Sequence, residues 1–147
     1  MPKKRKKPKI RAYQCKAKQL SGRRFVDIIP QARKLLRTLQ KQTKRRAYIR
    51  SAYFHKDKIF FDFFWQHIQT KSAVDRARRL KYLPCALELL RNSKCDPLSF
   101  MDENQPGIIK HEFKGNTSDG LNFSVIVQED RKTNKKQLLT LYPAHPE

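Results

Sequence analysis

The sequence predicts an α+β fold, with N-terminal helices packed on a small C-terminal antiparallel sheet and a disordered basic arm in front. Three observations carry that reading. Charge is segregated, since residues 1–58 hold 21 Lys or Arg against only Asp27 and Asp57, which is +19 of the chain's +21. Apolar residues in the middle of the chain recur at steps of three or four, the spacing of one helix face. From about residue 108 the pattern changes to short runs with partial two-residue alternation, the mark of strands.

Taken in order, residues 1–24 contain only Ile10, Tyr13 and Leu20 as large apolar side chains, too few to pack, and are expected to form the arm. Residues 25–147 are then one domain. FVDIIP opens it, with Pro30 suited to the first turn of a helix. ARKLLRTLQKQTKRR continues that helix, with Leu35, Leu36 and Leu39 on one side and Arg33, Lys34, Arg37, Lys41 and Lys44 over the rest. AYIRSAYF reads as a short strand closed by the turn HKDK, and IFFDFFWQHIQ as a helix or a strand running into one. Val74, Ala77, Leu80, Leu83, Leu87 and Leu90 form a helical repeat on which Pro84 marks a break or a new first turn. KCDPLSFMDENQPG is expected to be a loop, from its Asp-Pro and Pro-Gly pairs. IIKHEFKG, LNFSVIVQED and QLLTLYP, separated by NTSDG and RKTNKK, then form a meander.

A surplus of this size attracts polyanions, and nucleic acid fits better than a membrane surface because the basic segment lacks a bulky apolar face. No apolar run approaches the roughly 20 residues needed to span a bilayer, and Met1 is followed by charge, so the protein is expected in the cytoplasm. The run PKKRKK, with Lys3, Lys4, Arg5, Lys6 and Lys7, reads as a solvated tail that contacts phosphate or as an import patch. Cys15, Cys85 and Cys95 have no C-x-x-C spacing, and the histidines do not fall at ligand spacing with them, so neither a metal site nor a cofactor is expected.

The strings YFHKDKIFFDFFWQHI, DRARRLKYLPCALELL and HEFKGNTSDGLNFSVIVQEDRKTNKKQLLTLYP resemble the phage- and mobile-element-associated nucleases of the barnase, EndoU, colicin and RelE fold class. The matching pieces are Trp65 with His67 two residues on, the HxFxG strand, the glycine turn, and the terminal strand with Thr140, Tyr142 and Pro143. The resemblance implies a metal-independent endoribonuclease, often a toxin, acting on tRNA or another structured RNA and in some cases paired with a neutralising protein. For a chain of +21 that partner would be acidic.

Metal-free RNA cleavage needs a base for the 2′-hydroxyl, cations for the phosphorane and an acid for the leaving 5′-oxygen. His67 and His111 are the candidate proton-transfer groups, Lys114 the fixed charge and Thr140 a donor to a phosphate oxygen. Arg78 and Arg79 would hold flanking phosphates, and Lys56 and Lys58 would bind the strand beside Tyr48, Tyr53 and Phe54. Alternation puts His111, Phe113 and Gly115 on one strand face and Lys114 on the other, unless a bulge turns it back. The competing reading is a basic RNA- or DNA-binding module without chemistry, in which the histidines are packing residues.

Overall fold

The computed structural model describes residues 11–44 and 46–144. In chain order its elements are β1 (Tyr13–Gln14), α1 (Phe25–Thr43), β2 (Tyr48–Arg50), β3 (Lys58–Phe60), α2 (Asp62–Ile68), α3 (Ala73–Leu80), α4 (Leu83–Asn92), β4 (Leu98–Met101), β5 (Ile108–Asn116), β6 (Asn122–Asp130) and β7 (Lys136–Pro143). All seven strands belong to one sheet of order β1-β5-β6-β7-β3-β2, with β4 also on β5.

The expected meander is the centre of that sheet, since β5 pairs antiparallel with β6 and β6 with β7. The expected fold class is overturned. The sheet is neither small, nor C-terminal, nor purely antiparallel: β1 lies parallel to β5, β3 lies parallel to β7, and β2 joins through β3. Strands and helices are interleaved along the chain, so the architecture is mixed α/β. The three N-terminal strands span only two or three residues each. Backbone hydrogen bonds to long strands far away in sequence hold β1 and β3, with β2 added through β3, and no local period announces such bonds.

The arm is corrected by the same bonds. Residues 1–10 lie outside the described residues, but Tyr13 and Gln14 pair with Gly115 and Asn116, and Cys15 is buried. The Glu88 carboxylate on α4 accepts from the backbone N–H groups of Lys16 and Ala17 at 2.9–3.0 Å. Burial and a hydrogen bond to Glu88 push the Tyr13 phenol up to about 12. A segment with few apolar residues is thus fixed by strand pairing to β5, by Cys15 in the core and by the Glu88 carboxylate.

Two further expectations change. Helix α1 starts five residues before Pro30, where the Asp27 side chain accepts the Arg24 N–H and Ile28 is fully buried. The segment read as a loop contains β4, which pairs with β5 from Leu98↔Glu112 to Met101↔Ile109. Pro84 does open a new helix: α3 ends at Leu80 and Pro84 sits in the first turn of α4, where its missing N–H has no helical acceptor to lose.

Alternation along β5 divides the sheet into two faces. His111, Phe113 and Gly115 are buried, together with Phe123, Val125 and Val127 of β6 and Leu138 and Leu141 of β7. The helices supply Ile28, Ala32, Phe64, Ile68, Leu80, Leu83, Leu89 and Leu90 to the same core. Helices α2 and α3 lie against β7, and α4 against β2 and β5. The β5–β6 turn is closed by Thr117, whose hydroxyl accepts the Leu121 N–H at 2.9 Å, with Gly120 in the left-handed region at φ 89°.

Gly115 is where α4 comes closest to the sheet. A β-carbon there would lie 2.7 Å from Leu89 Cδ1 and 2.5 Å from Phe123 Cζ, inside van der Waals contact with two fully buried side chains. Gly115→Ala is expected to destabilise the protein by about 1–3 kcal/mol through overpacking. Urea unfolding checks it, as a lower midpoint with an unchanged slope.

Candidate functional site

The other face of the sheet carries polar side chains. Two cross-strand rows run over it, Glu112–Ile126–Thr140 and Lys114–Ser124–Tyr142. Neighbouring strands are about 4.8 Å apart, so each row places three side chains within roughly 10 Å. A register shift between Ile126 and Val127 re-phases β6 against β7 there, and Thr140 is thereby paired with Ile126 and set on the Glu112 side.

Glu112 is the hub of the cluster. Its Oε2 accepts from Lys114 Nζ at 2.7 Å and from the Tyr142 hydroxyl at 2.9 Å, while Lys114 also donates to Ser124 Oγ at 3.1 Å. Burial alone would raise the Glu112 carboxyl, but the hydrogen bonds from Lys114, Tyr142 and Ser124 outweigh it and hold the group below its ordinary value. Burial, together with the hydrogen bond to Glu112, pushes the Tyr142 phenol up. Ile126 gives the cluster an apolar floor.

Helix α3 adds a guanidinium from the β7 side. Arg79 donates to Thr140 Oγ1 at 3.0 Å, is held by Asp75 at 3.2 Å, and lies 5.9 Å from the Tyr142 ring centroid. Ser72 caps this helix by accepting the Asp75 N–H, which fixes the turn that aims both residues. His67, at the end of α2, is desolvated and lies within the field of Lys71, Arg79 and Lys110, and its imidazole is pushed below the ordinary value. On the far edge, Leu98 and Phe100 of β4 stand opposite Glu112 and Lys110 and are 47% and 45% exposed. Carboxylate, ammonium, guanidinium, phenol, hydroxyl and imidazole thus gather on one open surface flanked by apolar side chains.

Comparison with protein-family models, with curated proteins and with solved structures gives no match. The site therefore rests on its own chemistry.

Of the residues expected from the sequence, Lys114, Thr140 and Arg79 come together on this face, and His67 borders it. Arg78 does not join them. It is 56% exposed and pairs with Asp75 on the outer side of α3. Lys3, Lys4, Arg5, Lys6 and Lys7 lie outside the described residues. Lys56 and Lys58 line a separate cleft.

His111 is corrected. It is on the core-facing side of β5, so it and His67 do not flank one phosphate as expected. Its Nε2 lies 2.8 Å from Glu129 Oε1 and its Nδ1 2.6 Å from Ser99 Oγ, with the Phe54 ring edge-on at 5.0 Å. A carboxylate only accepts, so Nε2 carries a proton, and the Ser99 hydroxyl completes the chain on Nδ1. This histidine ties β4, β5 and β6 together.

Glu112, Ser124 and Tyr142 were missed as site residues. The signal for Glu112 was available, because the alternation that separates Lys114 from His111 puts Glu112 with Lys114. Tyr142 and Ser124 depend on strand register, which sequence alone does not supply.

The His111 assignment predicts that His111→Leu lowers stability by about 1–3 kcal/mol, because it leaves the Ser99 contact unmade and Glu129 with Lys136 alone. Thermal melting measures it. The site on the opposite face should keep its hydrogen bonds, seen as an unchanged difference in phenol titration between the His111→Leu protein and its Tyr142→Phe derivative.

Proposed function

We propose that the protein is a metal-independent endoribonuclease whose site is the Glu112–Lys114–Tyr142 face of the sheet, with Arg79, Thr140 and His67. The observation that carries the reading is Glu112, a partly buried carboxylate held ionised by Lys114 and Tyr142 on a surface open to a large substrate. Such a carboxylate is equipped to take the proton of a 2′-hydroxyl. Lys114 and Arg79 supply fixed charge for the phosphorane, and the Thr140 hydroxyl a further donor. His67 in its protonated form would donate to the leaving 5′-oxygen. This replaces the two-histidine scheme with one carboxylate, Glu112, and one histidine, His67.

A strand lying across the rows would place a base against Phe100, beside Leu98, since unpaired bases stack on exposed aromatic rings. The overall charge of +21 supports a polyanionic substrate. Kinship with the phage-associated nucleases, a toxin role and an acidic inhibitor belong to this reading as proposals. Among the described residues no helix is long and apolar enough to cross a membrane. The competing reading, a binding module without chemistry, draws support from a basic cleft elsewhere on the protein.

The experiment is cleavage of single-stranded RNA in excess chelator, with products ending in a 2′,3′-cyclic phosphate. Glu112→Gln and Lys114→Met should each lower the rate by roughly 10²- to 10⁴-fold while RNA binding is kept. The free-protein pH profile of kcat/KM should be a bell. Its acid limb follows ionisation of Glu112, whose carboxyl is held below its ordinary 4.5, so the rate rises as pH passes that depressed value. Its alkaline limb follows loss of the His67 proton, below the ordinary 6.5, so the rate falls before neutrality. Cleavage at a 2′-deoxy position, or full inhibition by chelator, would sink the metal-free assignment.

A further inference from the structure

A large cavity lies apart from the Glu112 cluster and shares none of its residues. Its volume is about 1740 Å³, and it is bounded by the 51–57 loop, the end of α4 and the β6–β7 turn. Small-molecule pockets run to roughly 300–1,000 Å³, so this is the size of a groove for a polymer segment.

Its charges are unevenly used. Asp57 and Glu129 are the acids that line it, and both are taken by Lys136, whose Nζ lies 2.9 Å from Asp57 and 3.5 Å from Glu129. Lys136 is only 4% exposed, and His111 binds Glu129 from the other side. The buried part of the floor is therefore a connected polar network of Lys136, Glu129 and His111, with Asp57 at its exposed margin. Around it stand Arg50, Lys56, Lys58, Arg91, Lys94 and Lys135, and among the described residues none of these six is paired with a carboxylate. A cleft whose two acids are both engaged by Lys136 and whose rim presents six cations without a carboxylate partner is suited to an anion.

The loop holding Lys56 is fixed rather than loose. Lys56 N–H donates to Ser51 O at 2.7 Å, Ser51 N–H to Asp57 O at 2.9 Å, and Ala52 N–H to Leu90 O of α4 at 3.2 Å. His55 and Lys56 both occupy the left-handed region, at φ 55° and 70°, a conformation that non-glycine residues rarely adopt and that surrounding structure must hold. Beside it, the cross-strand pair Tyr48–Phe60 is flanked by cations over its rings: Lys58 at 4.6 Å and Arg50 at 5.7 Å from Tyr48, Arg46 at 4.6 Å and Lys135 at 5.3 Å from Phe60. Long side chains laid on ring faces are held in line along the cleft edge, which lowers the entropy lost on gripping a chain of phosphates.

We infer that this cleft binds a run of single-stranded RNA, with phosphates on Arg50, Lys56, Lys58, Arg91, Lys94 and Lys135 and bases beside Tyr53 and Phe60. Alternating cations and aromatic rings along one groove suit a flexible strand whose phosphates and bases are both exposed. The site is separate from the Glu112 cluster and does not require that the protein cleave RNA.

The test uses the full chain carrying Glu112→Gln, so that the probe stays intact, and measures anisotropy of a fluorescein-labelled oligouridylate over a range of salt. In that background, Lys56→Asn with Arg91→Gln and Lys94→Gln keeps the left-handed position tolerable. Affinity is expected to fall at least about ten-fold near 0.1 M salt, with a flatter salt slope. Should this triple variant melt early, Lys94→Glu alone, at an exposed unpaired position, is expected to show the same direction. Unchanged affinity and slope in folded variants would overturn the proposal. So would an equal loss for a labelled oligoglutamate of the same charge, which would make the cleft a site for acidic protein. Wild-type protein that binds RNA through these residues yet never cuts it would leave the cleft standing and remove the nuclease reading.

Discussion

Two-residue alternation along β5 is the constraint on which the rest of the structure depends. The strand pairs with β1 and β4 on one edge and β6 on the other, so its backbone is fixed over its whole length. With the backbone fixed, each side chain is committed to a face. His111, Phe113 and Gly115 go under the helices, and Lys110, Glu112 and Lys114 to the open surface. A one-residue slip would bury two lysines and a glutamate against α4 and expose Phe113, at a cost of several kcal/mol for each unpaired buried charge. The approach of Leu89 to Gly115 locks the register from above. Even a methyl group at position 115 overpacks Leu89 and Phe123, and a slip would bring Lys114 or Asn116 there.

A second constraint is the scarcity of acids. The chain has 13 Asp and Glu for 34 Lys and Arg, and most of the described acids serve a junction. Glu88 holds the N-terminal segment, Asp27 the start of α1, Asp62 joins Arg46 across to α2, Asp75 sets Arg79, and Asp102 meets Lys110 beside β4. Isolated exposed pairs of this kind contribute little stability, typically below about 1 kcal/mol. Their larger consequence is that few carboxylates remain to neutralise the surface, so the cations of the cleft and of α1 face solvent.

Local patterns in the sequence were legible, and long-range ones were not. The leucine stripe of α1, the passage from strand to helix in KIFFDFFWQHI, the break at Pro84 and the three strands of the meander each leave a period or a breaker within about ten residues. β1 leaves none, because YQ is fixed by bonds to Asn116 and Thr117 a hundred residues away. β4 is short, exposed and bracketed by Asp-Pro and Pro-Gly, so its turn residues outweigh LSFM. Those two omissions, with the parallel pairing of β3 to β7, are why a segregated α+β layout was expected and a mixed sheet is found. In the site, Lys114, Thr140 and Arg79 were legible as chemistry, whereas their assembly around Glu112 required the pairing of Ser124 with both Lys114 and Tyr142. Alternation already set His111 apart from Lys114, but which of the two faces the helices cover is decided by long-range packing that the strand pattern does not carry.

The arrangement of charge bears on how affinity and chemistry would divide. Around the open face the local charges nearly cancel: Glu112 against Lys114, Asp75 against Arg79, Asp102 against Lys110. A set with so little net charge orients a phosphate through directional hydrogen bonds but draws a polyanion only weakly, and the ionised Glu112 repels it. Making the cluster more basic would raise attraction and depress the Glu112 carboxyl further, weakening it as a base. Net positive charge therefore belongs at a distance, where it concentrates the strand without changing the acidity of the reacting groups. Such fields fall off over roughly 10 Å at moderate salt, so surplus cations in the separate cleft would add capture while leaving the Glu112 carboxyl set by Lys114, Tyr142 and Ser124. A cleft lined by the 51–57 loop, the end of α4 and the β6–β7 turn, and sharing no residue with the Glu112 cluster, meets that requirement.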